Sequence, residues 1–391
     1  MTDAATLDAG KRKNLRRGYT TGACAQAAVA AGAACGRFVP GTPGSGDSPV
    51  PSEGRVEIVL PGGETAVFPY RRDGDGVVWV VKDAGDDPDV THGLAIGARV
   101  DHTPGVFAVL AGPGVGTVTL PGLAIQPGAP AINPAPRDAI LAELRRARPE
   151  GATATILAPG GEALARRTLN PRLGIVGGIS ILGTTGRVEP WSVEAMRDSL
   201  EPQLDVAQAR GSNDLVFVLG SKGRRLAEEA GVDGRDIVET GNEVGWMLER
   251  AADRDFSSVT VRGHVGKLVK LAAGIFDTHS RVADARLVTL AAYAGAGGVP
   301  ADEVRALLDM NTADQGAAHL LALGRPDVLA AVAGAAAAAC TERFGLRVRI
   351  VLLDRDGGVL AESPPPSADA VDGAAAASTA RPARAARGDE E

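Results

Sequence analysis

The 391-residue sequence predicts two domains of different architecture: an α+β domain over residues 14–195, then an α/β domain with a mostly parallel sheet over residues 196–362. Three observations lead there. The chain is long enough for two cores of ordinary size. Its first half carries short apolar runs separated by tight glycine turns, the signature of hairpins. After about residue 214 the pattern becomes strand, turn, helix, repeated, which calls for parallel strands joined by helical crossovers. Residues 1–13 are polar and expected to be a flexible N-terminus. From Ser363 the chain is nearly free of large apolar side chains and is expected to be a disordered tail, 363–391.

The elements follow in order. A helix is expected from about Ala23 to Gly36, capped by Thr20 or Thr21, then a proline-, glycine- and serine-rich loop, VPGTPGSGDSPVPSEG. RVEIVLP and ETAVFPY flank a Gly62-Gly63 turn as a hairpin, and VVWVVKD, GVFAVLAG and GTVTLPG extend the sheet. NPAPRDAILAELRRA, from Asn133, is amphipathic, with prolines before its first turn and Ile140, Leu141 and Leu144 on one side. ATATILAP is a further strand. Ser192 caps a helix predicted over VEAMRDSLEPQLDVAQARG. Beyond it DLVFVLG, DIVET and SSVTVRG each precede a helical stretch, and RVRIVLLD with VLAES closes the fold.

Composition narrows the function. A 45% hydrophobic content with mean hydropathy near zero describes a soluble globular chain. A net charge of −7 argues against a nucleic-acid or anionic-membrane partner, and no apolar run is long enough to span a bilayer. Three cysteines, Cys24, Cys35 and Cys340, have no C-x-x-C spacing and suit a reducing cytoplasm. The twin arginine Arg16-Arg17 before an alanine run imitates an export signal, but the run holds Gln26 and follows a capping turn.

The stretch richest in implication is GIVGGISILGTTG, with glycines at 174, 177, 178, 183 and 186 and only Ser180, Thr184 and Thr185 offering hydroxyls. Such a loop can present backbone N–H groups to a ligand; it can equally be a buried strand whose glycines permit sharp turns or close backbone packing. KDAGDDPDVTHG packs Asp83, Asp86, Asp87 and Asp89 into one turn. Carboxylates this close raise one another's pKa unless a cation or several donors intervene. A metal is one reading, although the terminal glutamate of a calcium loop is missing. Ribose hydroxyls or an ammonium group are another, and turn formation a third. GHVGKLVKLAAGIFDTHSRVADAR places glycines before a helix at the end of a strand, with Lys267 and Lys270 one turn apart, an expected anion site. His264 and His279 lack zinc spacing. SKGRRLA after DLVFVLG is a second such turn, and VLAGPGVGTVTLPG looks like the phosphate-and-cofactor loop of tetrapyrrole methylases. Many arginines and no persuasive nucleophile or metal cage suit a group transfer between two ligands that bring their own reactivity.

RRGYTTGACAQAA, KDAGDDPDVTHG, GPGVGTVTLPGL with PAINPAPR, RTLNPRLGIVGGISILGTTGRVEPWS, GNEVGWML and GHVGKLVKLAAGIFDTHSRVADAR resemble, in this order, the signature blocks of the cobalt-precorrin-5B (C-1) methyltransferase family. The resemblance spans about Asn14 to Glu362, with departures at Ala23, Gln26, Arg187 and Trp191. It implies methyl transfer from S-adenosylmethionine to ring carbon 1 of cobalt-precorrin-5B, giving cobalt-precorrin-6A and S-adenosylhomocysteine on the anaerobic-type route to cobalamin. Under it, Asp83, Asp86, Asp87, Gly177, Gly178, Ser180, Gly183, Thr184 and Thr185 are expected to hold the donor, since an acidic cluster would repel a polyanionic corrinoid. His264, Lys267, Arg281 and Arg172 are expected to meet the carboxylates of the cobalt-containing corrinoid, with His279 as the base if a proton must leave. No resident metal is expected, and a homo-oligomer is left open. Two rival readings stand beside this one. A dinucleotide-dependent corrinoid reductase would need a G-x-G-x-x-G turn after DLVFVLG that is missing; a non-enzymatic tetrapyrrole carrier would bind without turnover.

Overall fold

The computed structural model describes residues 15–34, 52–254 and 256–365. The expected N-terminal 1–13 segment, most of the 39–54 loop and the tail beyond 365 lie outside the described residues. The chain forms two compact units, Met1–Pro202 and Gln203–Glu391, each of mixed α and β structure.

In the first unit β1 (Gly18–Tyr19) runs into α1 (Thr21–Ala34). Thr20 is the cap, its Oγ1 accepting from Ala23 N at 3.1 Å. Thr21 instead donates to the Ser180 carbonyl and accepts from Leu182 N. Helix α1 is alanine-rich on every side, so it has no wet face and lies buried along most of its length, as such helices do. It packs on a six-stranded sheet of β2 (Glu53–Val59), β3 (Thr65–Arg72), β4 (Val78–Val81), β5 (Ala95–His102), β6 (Phe107–Ala111) and a later strand, β9.

The short strands β7 (Gly114–Val115) and β8 (Thr117–Val118) lead to α2 (Pro134–Ala147) and β9 (Ala152–Leu157). The sheet order is β2-β3-β4-β5-β9-β6, antiparallel throughout except for β9 with β6. Helix α2 buries Ile140 and Leu144. Then come α3 (Gly161–Ala165), β10 (Ile175–Val176), β11 (Gly178–Ile179) and β12 (Arg187–Val188). The helix expected over 193–211 is two helices, α4 (Val193–Leu200) and α5 (Pro202–Ala209). Pro202 has no N–H to give the preceding turn, and the boundary between units falls there.

The second unit holds β13 (Asp214–Val218), α6 (Ser221–Glu229), β14 (Ile237–Glu239), α7 (Val244–Ala252) and β15 (Ser258–His264). The helix expected after β15 is one turn of α-helix, α8 (Val265–Leu268), continued as a 3-10 turn, Val269–Ala273, that stops at left-handed Gly274. Four helices with no counterpart in the sequence reading follow: α9 (Arg286–Ala296), α10 (Ala301–Leu308), α11 (Ala313–Ala322) and α12 (Pro326–Phe344). Strands β16 (Val348–Leu353) and β17 (Val359–Glu362) complete a sheet of order β14-β13-β15-β16-β17. Its first three pairings are parallel and the last antiparallel. The order reverses between β13 and β15, so the carboxyl ends of those strands flank the crevice in which ligands of open α/β sheets bind. Among the described residues no helix is long and apolar enough to cross a membrane.

Candidate functional site

In the first unit the acid loop and the glycine stretch are stitched together by Arg16 to Thr21. Strand β1 pairs with β12, Arg17 bridges to Gly85, Tyr19 N donates to the Asp83 carbonyl and Thr20 N to that of Gly186. Gly18 and Gly85 are required there, because a Cβ on Gly18 would strike Ala84 backbone and one on Gly85 would strike that of Arg16.

Most of the carboxylates in the loop already have work. Asp83 holds the Arg16 guanidinium with both oxygens and accepts from Gly85 N; the Arg16 hydrogen bond draws its pKa down to about 2. Asp86 Oδ2 accepts from Arg16 N at 2.7 Å. Asp89 meets the buried Lys82 ammonium at 2.5 Å and accepts from Thr91. Burial alone would push the Asp89 carboxyl up, but the Lys82 charge and these bonds bring it below its usual value. Asp87 behaves differently. Half-buried, it is raised by loss of solvation, only partly offset by Trp191 N at 3.0 Å. Trp191 is itself unusual: at φ 60° it is the one non-glycine residue in left-handed backbone among those described.

A cavity of about 460 Å³ opens beside this loop, lined by Asp86, Asp87, Asp89, His92 and Arg167. It combines carboxylates that can accept from hydroxyl or ammonium groups with one exposed guanidinium that can take a carboxylate.

The glycine stretch is mainly a packing device. A side chain on Gly178 would collide with the Gly114 carbonyl, one on Gly161 with the same carbonyl, and one on Gly114 with the Ala158 carbonyl. Three segments thus cross with backbones in contact, which also explains GPGVG without a ligand. Gly174 abuts Leu120, Gly183 abuts Thr20 and Gly186 abuts Leu60. Ser180 is buried and donates to Asn170 Oδ1, while Asn170 Nδ2 donates to the Gly178 carbonyl. Of the expected donor-binding residues in this stretch, only Gly177, Thr184 and Thr185 face solvent. Arg172, also in this unit, turns its Nη1 to the Thr168 carbonyl at 2.8 Å.

In the second unit the carboxyl end of β15 carries a dense polar network. His264 accepts from Gly266 N through Nδ1 and pairs with Asp314 through Nε2 at 2.8 Å, so both ring nitrogens are engaged within the protein. The Gly266 N–H expected to face an anion is therefore already taken, and α8 is too short to present a helix terminus. The positive charge at this strand end comes from side chains. Lys267 Nζ donates to Asn242 Oδ1 at 2.7 Å, and Asn242 also accepts from Thr278 through both its carbonyl and its side chain. Lys270, expected one turn from Lys267 in the same anion site, is buried and donates to the Thr278 and His279 carbonyls at 3.0 and 3.3 Å.

His279 Nδ1 accepts from Arg281 N at 3.1 Å. In the neutral ring the proton then sits on Nε2, which makes His279 a donor at its free end, at odds with the base expected from sequence. Arg281 is exposed. Asn242 and Asp314 were missed by sequence reasoning, and Arg167 entered it only as one of the many arginines near the glycine-bearing turns. Asn242 carried a usable signal, its place directly after a short strand of the α/β alternation. No cluster of three metal-ligating side chains occurs among the described residues.

Comparison with known proteins adds the following. The family model CbiD matches residues 8–190, and the model described as CbiD, C-terminal domain, matches residues 277–364. A Thermoanaerobacter protein named cobalt-precorrin-5B C(1)-methyltransferase is 46% identical over 310 residues, 78% of this chain and 82% of its own. Proteins of the same name from Moorella thermoacetica and Salmonella typhimurium are 46% and 40% identical, covering 81% and 82% of their lengths and 77% and 80% of this chain. A crystal structure of a cobalamin biosynthesis protein from Archaeoglobus fulgidus aligns with 27% identity over 68% of this chain and 83% of its own, at a TM-score of 0.38.

Proposed function

Because this chain belongs to the CbiD family of cobalt-precorrin-5B C(1)-methyltransferases, we propose that it transfers a methyl group from S-adenosylmethionine to ring carbon 1 of cobalt-precorrin-5B, in the cytoplasm. It is a methyltransferase of cobalamin biosynthesis. The observation that carries this reading is 46% identity extending over 82% of a relative of that name.

The chemistry asks little of the protein's own side chains. The donor sulfonium is reactive, and the electron-rich macrocycle supplies the electron pair. One C–S bond breaks as one C–C bond forms, the leaving group departs as a neutral thioether, and the macrocycle releases one proton to solvent, so that its net gain is one CH2 unit. Positioning the two reactants in line can lower the barrier by up to about 7–11 kcal/mol. A site of fixed dipoles and charges, without a nucleophile, is sufficient.

In this proposal the donor occupies the cavity of the first unit. Asp86 and Asp87 accept from its ribose hydroxyls or ammonium group, Arg167 meets its carboxylate, and of the glycine stretch only the exposed Gly177, Thr184 and Thr185 stay open to a ligand. Asp83, tied to Arg16, and Gly178, Ser180 and Gly183, held in packing, shape the site without touching the ligand. The corrinoid carboxylates fall to the side chains of Lys267, His279 and Arg281; Arg172, expected among them, belongs to the first unit and is turned to the Thr168 carbonyl, and His264 fastens the α8 turn to Asp314. Supporting the division is charge: a carboxylate loop suits a cationic donor, and lysine and histidine donors suit a polyanionic acceptor. The decisive experiment is anaerobic incubation of the purified chain with both compounds. The pigment should gain the mass of one CH2 unit as S-adenosylhomocysteine accumulates; binding of both compounds without that gain overturns the reading.

A further inference from the structure

Lys270 is the second-unit cation whose surroundings are hardest to explain by stability alone. It is 2% exposed, and its ammonium is bound by two main-chain carbonyls, Thr278 at 3.0 Å and His279 at 3.3 Å. Among the described residues no carboxylate reaches ion-pairing distance of it. Lys267 and Arg286 act on it as charges of like sign, and their effect exceeds the opposing one of Asp284, which partners Arg286, and of Asp277. Loss of solvation and those two cations hold its pKa below the usual value. A charge kept at that cost is doing something an apolar side chain could not.

What it does is visible in the bonds around it. The two carbonyls it grips are successive, so it fixes the peptide between Thr278 and His279. Asn242 holds the same turn from the other side, accepting from Thr278 N at 3.0 Å and from Thr278 Oγ1 at 3.3 Å, and the same amide oxygen receives Lys267 Nζ. Asp277 Oδ1 accepts from His279 N, and His279 Nδ1 accepts from Arg281 N. The ring of His279 is thereby fixed in orientation and tautomer, with a proton on Nε2 and no partner for it among the described residues. Lys267, on α8, and His279, on the loop that follows, are two donors tied to one network that Lys270 and Asn242 complete.

We propose that Lys270 is a positioning residue that pins the Thr278–His279 peptide, so that the His279 Nε2–H and the Lys267 ammonium form a preset donor pair for one carboxylate of the macrocyclic substrate. The assignment rests on the reading of this chain as a corrinoid methyltransferase. It goes further in giving His279 an anion-binding role in place of a basic one and in adding a residue that never touches the ligand.

The test compares wild type, Lys270→Met, His279→Ala and the double variant, after wild-type turnover has been established. Lys270→Met should raise the KM for the corrinoid about tenfold or more, the scale of a lost charge-assisted hydrogen bond. Its kcat and its affinity for S-adenosylhomocysteine should change much less. The double variant should be no worse than the worse single, because both changes remove one presented donor.

Multiplying effects, or an unchanged KM in Lys270→Met, overturn the proposal. Nitrogen-15 spectra of the histidine rings give an independent readout, with the His279 signal identified by its loss in His279→Gln. Wild type should show an Nε2-protonated ring that shifts when the corrinoid binds. That measurement needs no folded Lys270 variant and no turnover; an Nδ1-protonated ring, or one indifferent to the corrinoid, sinks the idea even where methyl transfer is confirmed.

Discussion

Lys82 and Lys270 are buried to the same degree, 1% and 2% exposed, yet their surroundings are opposite. Lys82, at the end of a first-unit strand, meets the Asp89 carboxylate at 2.5 Å. Lys270, after a second-unit strand, meets only peptide carbonyls. A buried charge with an internal counter-charge closes its own electrostatics and belongs to the framework. A buried charge held by dipoles alone leaves the network positive, which is useful where an anionic substrate must be received. Burial by itself therefore does not distinguish the two lysines; the kind of partner does, a carboxylate for one and peptide dipoles for the other.

The sharpest way to test that contrast is Lys82→Met. It strands Asp89 in a poorly solvated site, and the cost should be about 3–5 kcal/mol in urea unfolding of the full chain. Replacing Asp89 by leucine in the same variant should recover much of the loss. Lys270→Met abandons two main-chain carbonyls but no carboxylate and should cost less, about 1–3 kcal/mol in that assay; a loss as large as that of Lys82→Met would erase the distinction.

Asp87→Asn comes next. It keeps an oxygen for Trp191 N but removes a charge that burial penalises, so affinity for S-adenosylhomocysteine should fall about tenfold by calorimetry while the melting midpoint holds or rises. The sign follows from the raised pKa of Asp87: its contribution to stability is complete below the unfolded-state pKa and declines as pH climbs through the folded one.

Asp83→Asn should have the smallest effect, lowering the midpoint by roughly 1–3 °C at neutral pH because its Arg16 partner is exposed. Here the pKa is lowered, so the stabilisation is complete above the usual 3.8 and is lost as pH falls toward about 2. The gap between wild type and variant should close in thermal melts over that window, and a gap that persists would show that Asp83 acts otherwise than through its charge.

The legible parts of the sequence were those where one segment carries its own instructions. DLVFVLG, DIVET and SSVTVRG fall on β13, β14 and β15, because an apolar run bounded by glycine or polar residues identifies a strand without reference to anything distant. Thr20 was readable as a cap for the same reason. The helices between Arg286 and Phe344 were passed over: α12 is so rich in alanine that its buried side barely differs in hydropathy from the rest.

The site was less legible, since each side chain's role depends on remote partners. Asp83 looked like a ligand contact until Arg16 was found on it, and Gly178 looked like an open amide until Gly114 was found against it. His279 looked like a base until the Arg281 N–H fixed its tautomer. In every case the decisive atom lay in a backbone group or a distant residue that no local spacing announces.

The crossing of Gly114, Gly161 and Gly178 bears on how this protein can change over time. Since the three segments meet main chain to main chain, no single replacement among them can be absorbed by repacking a neighbour, and no second replacement at the others makes room. Random mutagenesis followed by selection for turnover should therefore return these codons unaltered even in libraries where exposed surface positions drift freely, leaving a fixed knot about which new substrate preferences would have to be built.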